Sequence, residues 1–283
     1  FGYALMSIEE QIARAGTGSG GQTELSRSAL EEFKISFPTN LAVQRRISQT
    51  LEAALSALHT AEGAAKESVR LAVQLRESRL KEIFSREEIA RWPMTPLGTV
   101  TDIQSGGTPR VATKEYWGGD ITWFSSGELG QDFVESSERS ITPLGLSESN
   151  AKVFPAGSLL IGMYDTAALK MSLLTQSAAF NQAIAGVKSS ERLDTYFAMM
   201  GIASRRSEIL AQRRGVRQKN LSLRKIKAIE IPVPPIEIQK EVVAQFLRLV
   251  PKADILRDIE QHKMTLLGDL RQRLVKEACG AYA

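Results

Sequence analysis

Two long segments of the chain carry apolar residues at helical spacing. From Ile47 to Leu80 the apolar side chains recur mostly every three or four residues, within a segment that spans 41–84. A second segment begins after Pro235 and runs to about Lys276. Because each pattern makes one apolar stripe on an otherwise charged surface, each predicts a long helix that buries one side.

The two stripes predict a pair of helices that pack on each other, antiparallel, as a rod. The predicted seam residues are Ile47, Leu51, Leu55, Leu58, Ala61, Ala65, Val69, Ala72, Leu75 and Leu80 in the first helix and Ile238, Val242, Phe246, Leu249, Ala253, Leu256, Ile259, Leu267, Leu270 and Leu274 in the second. Pro251 removes a backbone hydrogen bond and clashes with the preceding turn, so we expect a short helix before it and a long one after it. The alternative is that each helix packs separately on a globular core.

The sequence between these segments has a different texture. Residues 92–190 are rich in Gly, Ser, Thr and strand-forming residues, and the runs 121–124 and 158–164 are typical of strands. Residues 193–213 return to helical spacing. The expected fold class is therefore α+β: a mixed α/β domain flanked by two long helices that pack as an antiparallel coiled coil.

The chain also repeats itself at a separation of about 195 residues. The aligned residues are Leu25-Ser26 with Leu221-Ser222, Phe33, Ile35 and Phe37 with Ile229, Ile231 and Val233, Pro38 with Pro234, and Gln44 with Gln239. Each copy leads into one of the long helical segments, so the repeat is a duplicated module with unlike material between its copies.

The composition is that of a globular protein with one large domain or two ordinary ones. The chain has no apolar run long enough to predict a membrane span and no signal-peptide pattern. The single Cys279 suits a reducing compartment, so we expect a cytoplasmic location. Neither His59 nor His262 lies at metal-ligand spacing from another His or Cys, so no metal site is predicted. Because the first residue is Phe, we expect a portion of a longer protein.

Positive charge is concentrated in one window of the chain. Nine basic residues and one acid lie between Arg205 and Lys227, a net charge of +8 in a chain whose total is +4. A stripe of this kind suits contact with phosphate groups. The alternative is a solvated helix face followed by a basic entry into a strand.

Six sequence motifs are scattered over residues 92–239 of the chain. They are WPMTPLG (92–98), SGGTP (105–109), EYWGGDITW (115–123), SGEL (126–129), FNQA (180–183) and PVPPIEIQ (232–239). In their order and spacing across residues 92–280, they resemble the motifs of the specificity (S) subunit of type I restriction–modification systems.

This resemblance implies a recognition subunit that is not itself an enzyme. The family has two target recognition domains, each followed by a helical region; the helices act as a spacer, and each domain reads one half of a bipartite DNA site. The partners it implies are double-stranded DNA, methyltransferase (M) subunits and, in the full complex, restriction (R) subunits. No cofactor is expected in this chain, whereas the M subunits are expected to use S-adenosylmethionine.

The same resemblance divides the chain into four parts. These are the tail of a first recognition domain (1–37), a central conserved helical spacer (38–86), a target recognition domain (87–235) and a distal conserved helical region (236–283). Since nearly all of a first recognition domain is missing, we expect either a C-terminal portion or a half-size subunit that pairs with itself. The segment PTNLAVQ (38–44) departs from PPIEIQ (234–239), which leaves the docking role of the first helix open.

Candidate DNA contacts fall into two groups, because base edges specify a sequence while phosphate contacts set the register. Base-edge candidates on motifs or loops are Gly107, Thr108, Arg110, Lys114, Tyr116, Ser125, Ser126, Lys170, Asn181 and Gln182, and phosphate candidates are Arg213, Arg214, Arg217 and Lys219. The alternatives are structural: Gly-Gly-Thr-Pro as a tight turn, Asn181-Gln182 as a strand cap, and Trp117 and Trp123 as core residues.

Two other classes of function compete with DNA recognition. A helical scaffold or adaptor would use the same rod and never read DNA. A self-contained methyltransferase or nuclease would need motifs that the sequence lacks, among them a phosphate-binding lysine loop and an Asn/Asp-Pro-Pro-Tyr segment.

Overall fold

The computed structural model describes residues 2–16, 25–35, 37–164, 167–211, 220–249 and 251–280. Its helices are α1 (Gly2–Ser7), α2 (Glu9–Ala15), α3 (Arg27–Glu31), α4 (Leu41–Ser85), α5 (Glu87–Ala90), α6 (Pro143–Ser147), α7 (Thr195–Ser204), α8 (Arg206–Ala211), α9 (Leu223–Lys227), α10 (Ile236–Leu249) and α11 (Pro251–Gly280). Its strands are β1 (Met94–Pro96), β2 (Ile103–Ser105), β3 (Trp117–Phe124), β4 (Phe133–Val134), β5 (Ser140–Ile141), β6 (Leu159–Gly162), β7 (Met171–Leu174), β8 (Ala179–Phe180), β9 (Ile184–Val187) and β10 (Glu230–Pro232). The predicted α+β class is confirmed.

The chain divides into two compact units. The first comprises residues 1–74 and 252–283, and the second comprises residues 75–251. All strands of the described residues belong to the second unit, here called the sheet unit. The first, here called the helical unit, holds most of α4 and nearly all of α11.

Helix α4 buries one residue in every seven within the helical unit. Leu51, Leu58, Ala65 and Ala72 are all buried. A seven-residue repeat of buried positions is the pattern of a helix in a left-handed coiled coil, because it keeps one stripe facing a partner helix. The long apolar-periodic segment therefore forms the rod helix that its sequence predicts.

The two long helices of the helical unit run antiparallel. Val43, Ile47 and Leu51 at the start of α4 line the same groove as Leu274 and Ala278 at the end of α11. A side chain from the beginning of one helix meets a side chain from the end of the other only when the two chains run in opposite directions. The predicted antiparallel pair is confirmed, as is the division of the distal segment at Pro251.

Four predicted seam residues are wrong, because the structure leaves Leu75, Leu256, Ile259 and Leu270 exposed. On α4 the less exposed residue that follows Ala72 is Arg76, four positions later. Arg76 therefore occupies the seam position predicted for Leu75. On α11 apolar residues lie on two faces, and the less exposed face carries Glu260, Met264 and Leu267. The side chains of Leu249 and Ala253 lie outside the described part of the chain.

The sheet unit contains a central sheet in the order β2-β9-β6-β7-β4. Neighbours in it are antiparallel except β4 and β7, which are parallel. A smaller sheet has the order β5-β3-β8, and β1 pairs antiparallel with β10. Every residue of β6 and β9 is buried, because the central sheet is covered on both faces.

Alternate residues of β6 enter different hydrophobic clusters. Leu159 and Ile161 pack with the wholly buried face of α7, whereas Leu160 packs with Phe154 and Phe180. Successive side chains of a strand point to opposite faces, so the strand joins the two cores of the unit. Asp194 caps the start of α7, because its side chain accepts a hydrogen bond from the Phe197 N–H.

The sequence repeat is also a repeat of local structure. Ser26 caps α3 by accepting a hydrogen bond from the Ala29 N–H, and Ser222 caps α9 by accepting one from the Lys225 N–H. Both helices have five residues, and each leads towards a long helix. In both copies the side-chain amide of the aligned glutamine donates to a proline carbonyl: Gln44 to Pro38 at 2.6 Å, and Gln239 to Pro234 at 2.7 Å.

The surroundings of the two copies differ. Ile226 of the second copy is completely buried in the core of the sheet unit, whereas Leu30, its counterpart in the first copy, is 46% exposed. Residues 230–232 of the second copy form β10 and pair with β1, but the described residues 33–35 of the first copy form no strand. The described residues of the first copy therefore share the capped helix and the glutamine contact of the second, but neither its strand nor its burial.

Candidate nucleic-acid interface

The loop that contains Gly106 and Gly107 lies directly on the turn that follows β8. The Gly107 N–H donates to the carbonyl of Phe180 at 2.9 Å, and the Gly106 N–H donates to the carbonyl of Ile184 at 3.3 Å. A Cβ atom on Gly106 would come within 2.0 Å of the Phe180 carbonyl oxygen. The glycine is required because two backbone segments approach each other closely here.

This contact brings two of the sequence motifs together. The Thr108 hydroxyl donates to Oε1 of Gln182 at 2.5 Å, across 74 positions of sequence. Asn181 Oδ1 accepts from the Ala183 N–H at 3.0 Å and so closes the turn. Asn181 thus has the structural role given above as an alternative, whereas Gln182 stays exposed.

Two tryptophans of β3 donate hydrogen bonds to backbone carbonyls of the same loop. Trp123 is buried, and its Nε1–H donates to the Gly107 carbonyl at 3.0 Å. Trp117 is half-buried, and its Nε1–H donates to the Arg110 carbonyl at 3.3 Å. The two rings meet edge to face with centroids 5.1 Å apart. The interpretation as a core residue fits Trp123 better than Trp117, which keeps part of its ring at the surface.

Arg139 packs on the same two tryptophans, although it is not among the candidates selected from the sequence. It lies just before β5, and its guanidinium carbon is 3.6 Å from the centroid of the Trp117 ring and 5.3 Å from that of Trp123. This is the geometry of a cation stacked on an aromatic face. No local signal marks it, because Arg139 follows a run of Glu and Ser residues that reads as an ordinary solvated loop.

The other candidates of the sheet unit occupy varied positions. Ser125 is engaged in a capping box, since its backbone N–H and its hydroxyl both donate to Glu128. Ser126 begins the short helical turn that follows, and Tyr116 packs against the backbone of Gly145. Lys114 is exposed, and Lys170 is half-buried. Arg213, Arg214, Arg217 and Lys219 lie outside the described residues, so their predicted phosphate contacts stay predictions.

Three cations of this surface carry no ion pair in the described part of the chain. Within the described residues, Arg110, Lys114 and Arg139 are exposed and form no ion pair. In the basic window, Arg205 pairs with Glu208 at 2.9 Å, and Arg206 donates to the Leu169 carbonyl, so both stabilise the fold. Arg224, Lys225 and Lys227 of that window are exposed and form no ion pair among the described residues, so their charge, like that of the three cations above, is available to an anion.

Arg76, Asp132 and Tyr196 form a polar network away from this surface. Arg76 Nη2 lies 2.7 Å from Asp132 Oδ2, and the Tyr196 hydroxyl donates to the same oxygen at 2.7 Å. The Arg76 guanidinium also lies over the Phe246 ring at 5.4 Å. Burial, followed by the charge of Asp132, raises the pKa of Tyr196 well above its ordinary value. The network fixes the last turns of α4 on the sheet unit.

The described residues offer neither a metal site nor a helix that could span a membrane. Within the ranges described above, no group of three or more His, Cys, Asp and Glu side chains is placed to hold a metal ion. Among the helices of those ranges, none combines the length and apolar character needed to span a bilayer.

Comparison with known proteins decides the family. The model of the type I restriction modification DNA specificity domain matches residues 90–262, more than half of the chain. The chain belongs to this family. The matched residues of this specificity domain include the strands, the Gly-Gly-Thr-Pro loop and both tryptophans of β3.

Relatives of the specificity domain agree with that assignment. The specificity subunit of a type I restriction enzyme from Escherichia coli is 30% identical over 183 residues, which are 62% of this chain and 44% of that protein. A specificity subunit from Methanocaldococcus jannaschii is 28% identical over 159 residues, 53% of this chain and 36% of that protein. The chain thus spans less than half the length of these relatives.

The fold of the specificity domain and its helices also matches a solved structure. The S subunit of a type I restriction–modification system from M. genitalium covers 98% of this chain with a TM-score of 0.56, and the match takes in 71% of that subunit. The sequence identity is 16%, so the likeness concerns the fold alone.

Proposed function

We propose that this chain is the non-catalytic DNA sequence-recognition subunit of a type I restriction–modification complex. In this proposal residues 87–235 read one half of a bipartite site in double-stranded DNA. Residues 38–86 and 236–283 serve as the spacer and as the docking surface for methyltransferase subunits. The observation that carries the proposal is the family match over residues 90–262, which covers the sheet unit almost entirely.

The geometry supports a role in binding a polyanion. Arg110 and Lys114 are exposed and free of ion pairs in the described part of the chain, and Thr108 and Gln182 add hydrogen-bonding groups beside them. Cations contribute the salt-dependent share of DNA binding, and polar side chains read base edges. The loops that carry these groups rest on a rigid sheet, as binding residues commonly do.

The chemistry of the complex would then lie on other subunits. In this proposal S-adenosylmethionine is bound by the M subunits, R subunits join the full complex, and the assembly works in the cytoplasm. The chain itself contributes recognition and spacing. The two long antiparallel helices suit this role, since a paired helix holds its two ends at a fixed separation.

A second recognition domain would be needed to recognise the other half of the bipartite site. The second copy of the repeated module is covered by the sheet unit, and the first copy presents the same module with Leu30 and Phe37 exposed. We therefore assign residues 25–37 as the docking site of a second recognition domain. Its source would be either the same polypeptide or a second copy of this chain, and a half-size subunit would pair with itself.

Sedimentation of the purified chain separates these two sources. A dimer that Leu30→Asp dissociates supports pairing with a second copy. A monomer that stays monomeric at high concentration contradicts self-pairing and supports a domain on the same polypeptide. Thr108→Ser, in the sheet unit, is the control that should leave the sedimentation coefficient unchanged.

DNA binding tests the proposal directly. The purified chain should bind a mixed-sequence duplex with an affinity that falls as the salt concentration rises, because phosphate contacts release counterions. Absence of any salt-dependent binding would contradict DNA recognition and favour the helical scaffold, which the family match does not favour.

A further inference from the structure

Arg139 is held at the surface by ring stacking rather than by a carboxylate. Its guanidinium lies 3.6 Å from the centroid of the Trp117 ring, and within the described residues it forms no ion pair. Its backbone is fixed as well, because its carbonyl accepts from the Trp123 N–H at 3.0 Å. An arginine this well positioned has lost much of its conformational freedom before it meets any ligand.

We propose that Arg139 contacts DNA, donating from the edge of its guanidinium to a pair of neighbouring acceptor atoms. The inference rests on the proposed function and adds to it a residue that the sequence motifs do not contain. Two parts of DNA offer such a pair: the oxygens of one phosphate, and O6 with N7 of a guanine.

The stacking geometry is what suits Arg139 to this contact. Stacking occupies the flat face of the guanidinium and leaves the N–H groups at its edge, where they form a planar fork. Because the ring already restrains the side chain, less rotamer entropy is lost when the fork binds. A lysine at the same place would keep the charge but would lose both the planar stack and the fork.

The surroundings of Arg139 favour DNA as the ligand. Trp117 connects Arg139 to Arg110, whose carbonyl accepts from the indole N–H at 3.3 Å. The chain then runs from Arg110 back to Thr108, which donates to Gln182. Arg139, in the loop before β5, therefore extends the surface formed by the two motif loops.

Glu128, which bonds to the backbone of the residue before Arg139, is engaged in local hydrogen bonds. One oxygen of the Glu128 carboxylate accepts from the backbone N–H and the hydroxyl of Ser125, at 2.6 Å and 2.7 Å, and the other accepts from the Glu138 N–H at 2.9 Å. A carboxylate that is satisfied by local hydrogen bonds is a weak competitor for an arginine. The charge of Arg139 is therefore left for an external anion.

The test compares Arg139→Gln with a matched control in the full chain. Arg91 is also exposed and also lies over a tryptophan, with its guanidinium carbon 5.7 Å from the Trp92 ring, but it contacts neither motif loop among the described contacts. Affinity for a mixed-sequence duplex is measured across a salt series. Arg139→Gln should weaken binding roughly tenfold, while Arg91→Gln should leave it unchanged.

The salt series distinguishes the two acceptor pairs. If Arg139 contacts a phosphate, Arg139→Gln lowers the salt slope by about one and weakens all sequences alike. If it contacts a guanine, the selected binding site loses its preference at one position instead. Either result supports the proposal.

Two outcomes overturn it, and they are distinct from a failure of the proposed function. Wild-type protein that binds DNA, together with a folded Arg139→Gln variant that binds equally well, contradicts the contact. If Arg139→Gln fails to fold, the affinity of Arg139→Lys for DNA is measured instead. Full affinity of the lysine variant would contradict the proposal, because it would show that a positive charge suffices without the planar fork of the guanidinium. Wild-type protein without salt-dependent binding contradicts the proposed function itself.

Discussion

Gln239, at the start of α10, connects that helix to the segment that leads into α7. Its side-chain amide donates to the carbonyls of Arg192 and Pro234, at 2.8 Å and 2.7 Å, and its carbonyl accepts from the Asp194 N–H at 2.9 Å. The residue is completely buried. Its loss would leave three backbone groups without these partners, one of them buried and two partly buried, which costs more than the loss of an exposed hydrogen bond.

Gln239→Ala should therefore lower the free energy of unfolding by about 2–4 kcal/mol. The aligned variant Gln44→Ala removes one half-buried hydrogen bond, to Pro38, and should cost less than about 1 kcal/mol. Urea denaturation of both variants checks the difference. Equal costs would contradict the different surroundings of the two copies.

The raised pKa of the Tyr196 hydroxyl predicts how stability changes with pH in the alkaline range. Burial and the charge of Asp132 raise the pKa of its hydroxyl in the folded state. A raised pKa means that the folded protein holds the proton more tightly than the unfolded chain does. The stabilisation is therefore fully present below the unfolded pKa of about 10 and is lost as the pH rises towards the folded pKa.

In Tyr196→Phe the free energy of unfolding should decrease less as the pH rises. The variant gives up the hydrogen bond to Asp132 and should be less stable by about 1 kcal/mol at neutral pH. Its urea midpoint should then fall less than that of the wild type between pH about 8 and about 11. Parallel pH profiles of the two proteins would contradict the role assigned to this hydroxyl.

Only part of the interface could be predicted at the scale of residues. Thr108 and Gln182 stand in motifs, and the structure places them in contact. Arg139 could not be found, because its significance comes from Trp117, more than twenty positions earlier in the chain, and a local pattern carries no such information. The same limit explains Arg76, whose partner Asp132 is 56 positions away.

At the scale of elements, the repeated module offers a matched pair of substitutions. Ile226→Ala removes a wholly buried side chain from the core of the sheet unit and should cost about 2–5 kcal/mol. Leu30→Ala changes an exposed side chain at the aligned position and should alter stability by less than about 0.5 kcal/mol. Thermal unfolding of the two variants measures the contrast.

A larger effect of Leu30→Ala would mean that the first module is covered in solution. If Leu30→Ala lowers stability only at high protein concentration, a second copy of the chain covers this residue. The reason is that binding to the folded form raises apparent stability as the concentration increases. A larger effect at every concentration would contradict the exposure of Leu30 in this structure.

Gly63 and Gly268 are sites where the long helices can be stabilised. Both lie inside helices, and a Cβ atom at either position would meet nothing within 4 Å. Alanine in place of glycine lowers the entropy of the unfolded chain and favours the helix, so each substitution should add about 0.5–1 kcal/mol. The melting temperature of each variant checks this, and a decrease would indicate a close contact at that glycine.

The long helices were predictable because their signal is local. Helical spacing over some forty residues fixes the existence of α4, and Pro251 fixes the boundary between α10 and α11. The orientation of α11 about its own axis was predicted incorrectly, since apolar residues such as Ile259 and Leu267 lie on different faces. Sequence spacing alone does not select between two apolar faces.

At the scale of the whole molecule, the α+β class follows from the change of texture along the chain, but the strand order does not. In the central sheet, Ile103 lies opposite Val187 and Leu159 lies opposite both Leu173 and Val187. Pairings between residues so far apart in the sequence depend on the folding of the entire sheet unit. The family motifs supplied what periodicity did not, because they mark the loops that the sheet brings together.

The central claim is that this chain directs a methyltransferase to a DNA sequence. The most direct measurement is to express it with its methyltransferase subunits in a host that lacks other adenine methylation, and to map methylated adenines across the genome. We expect methylation at one bipartite sequence, and this methylation should disappear when the chain is omitted. Assembly with the methyltransferase subunits without any site-specific methylation would contradict it.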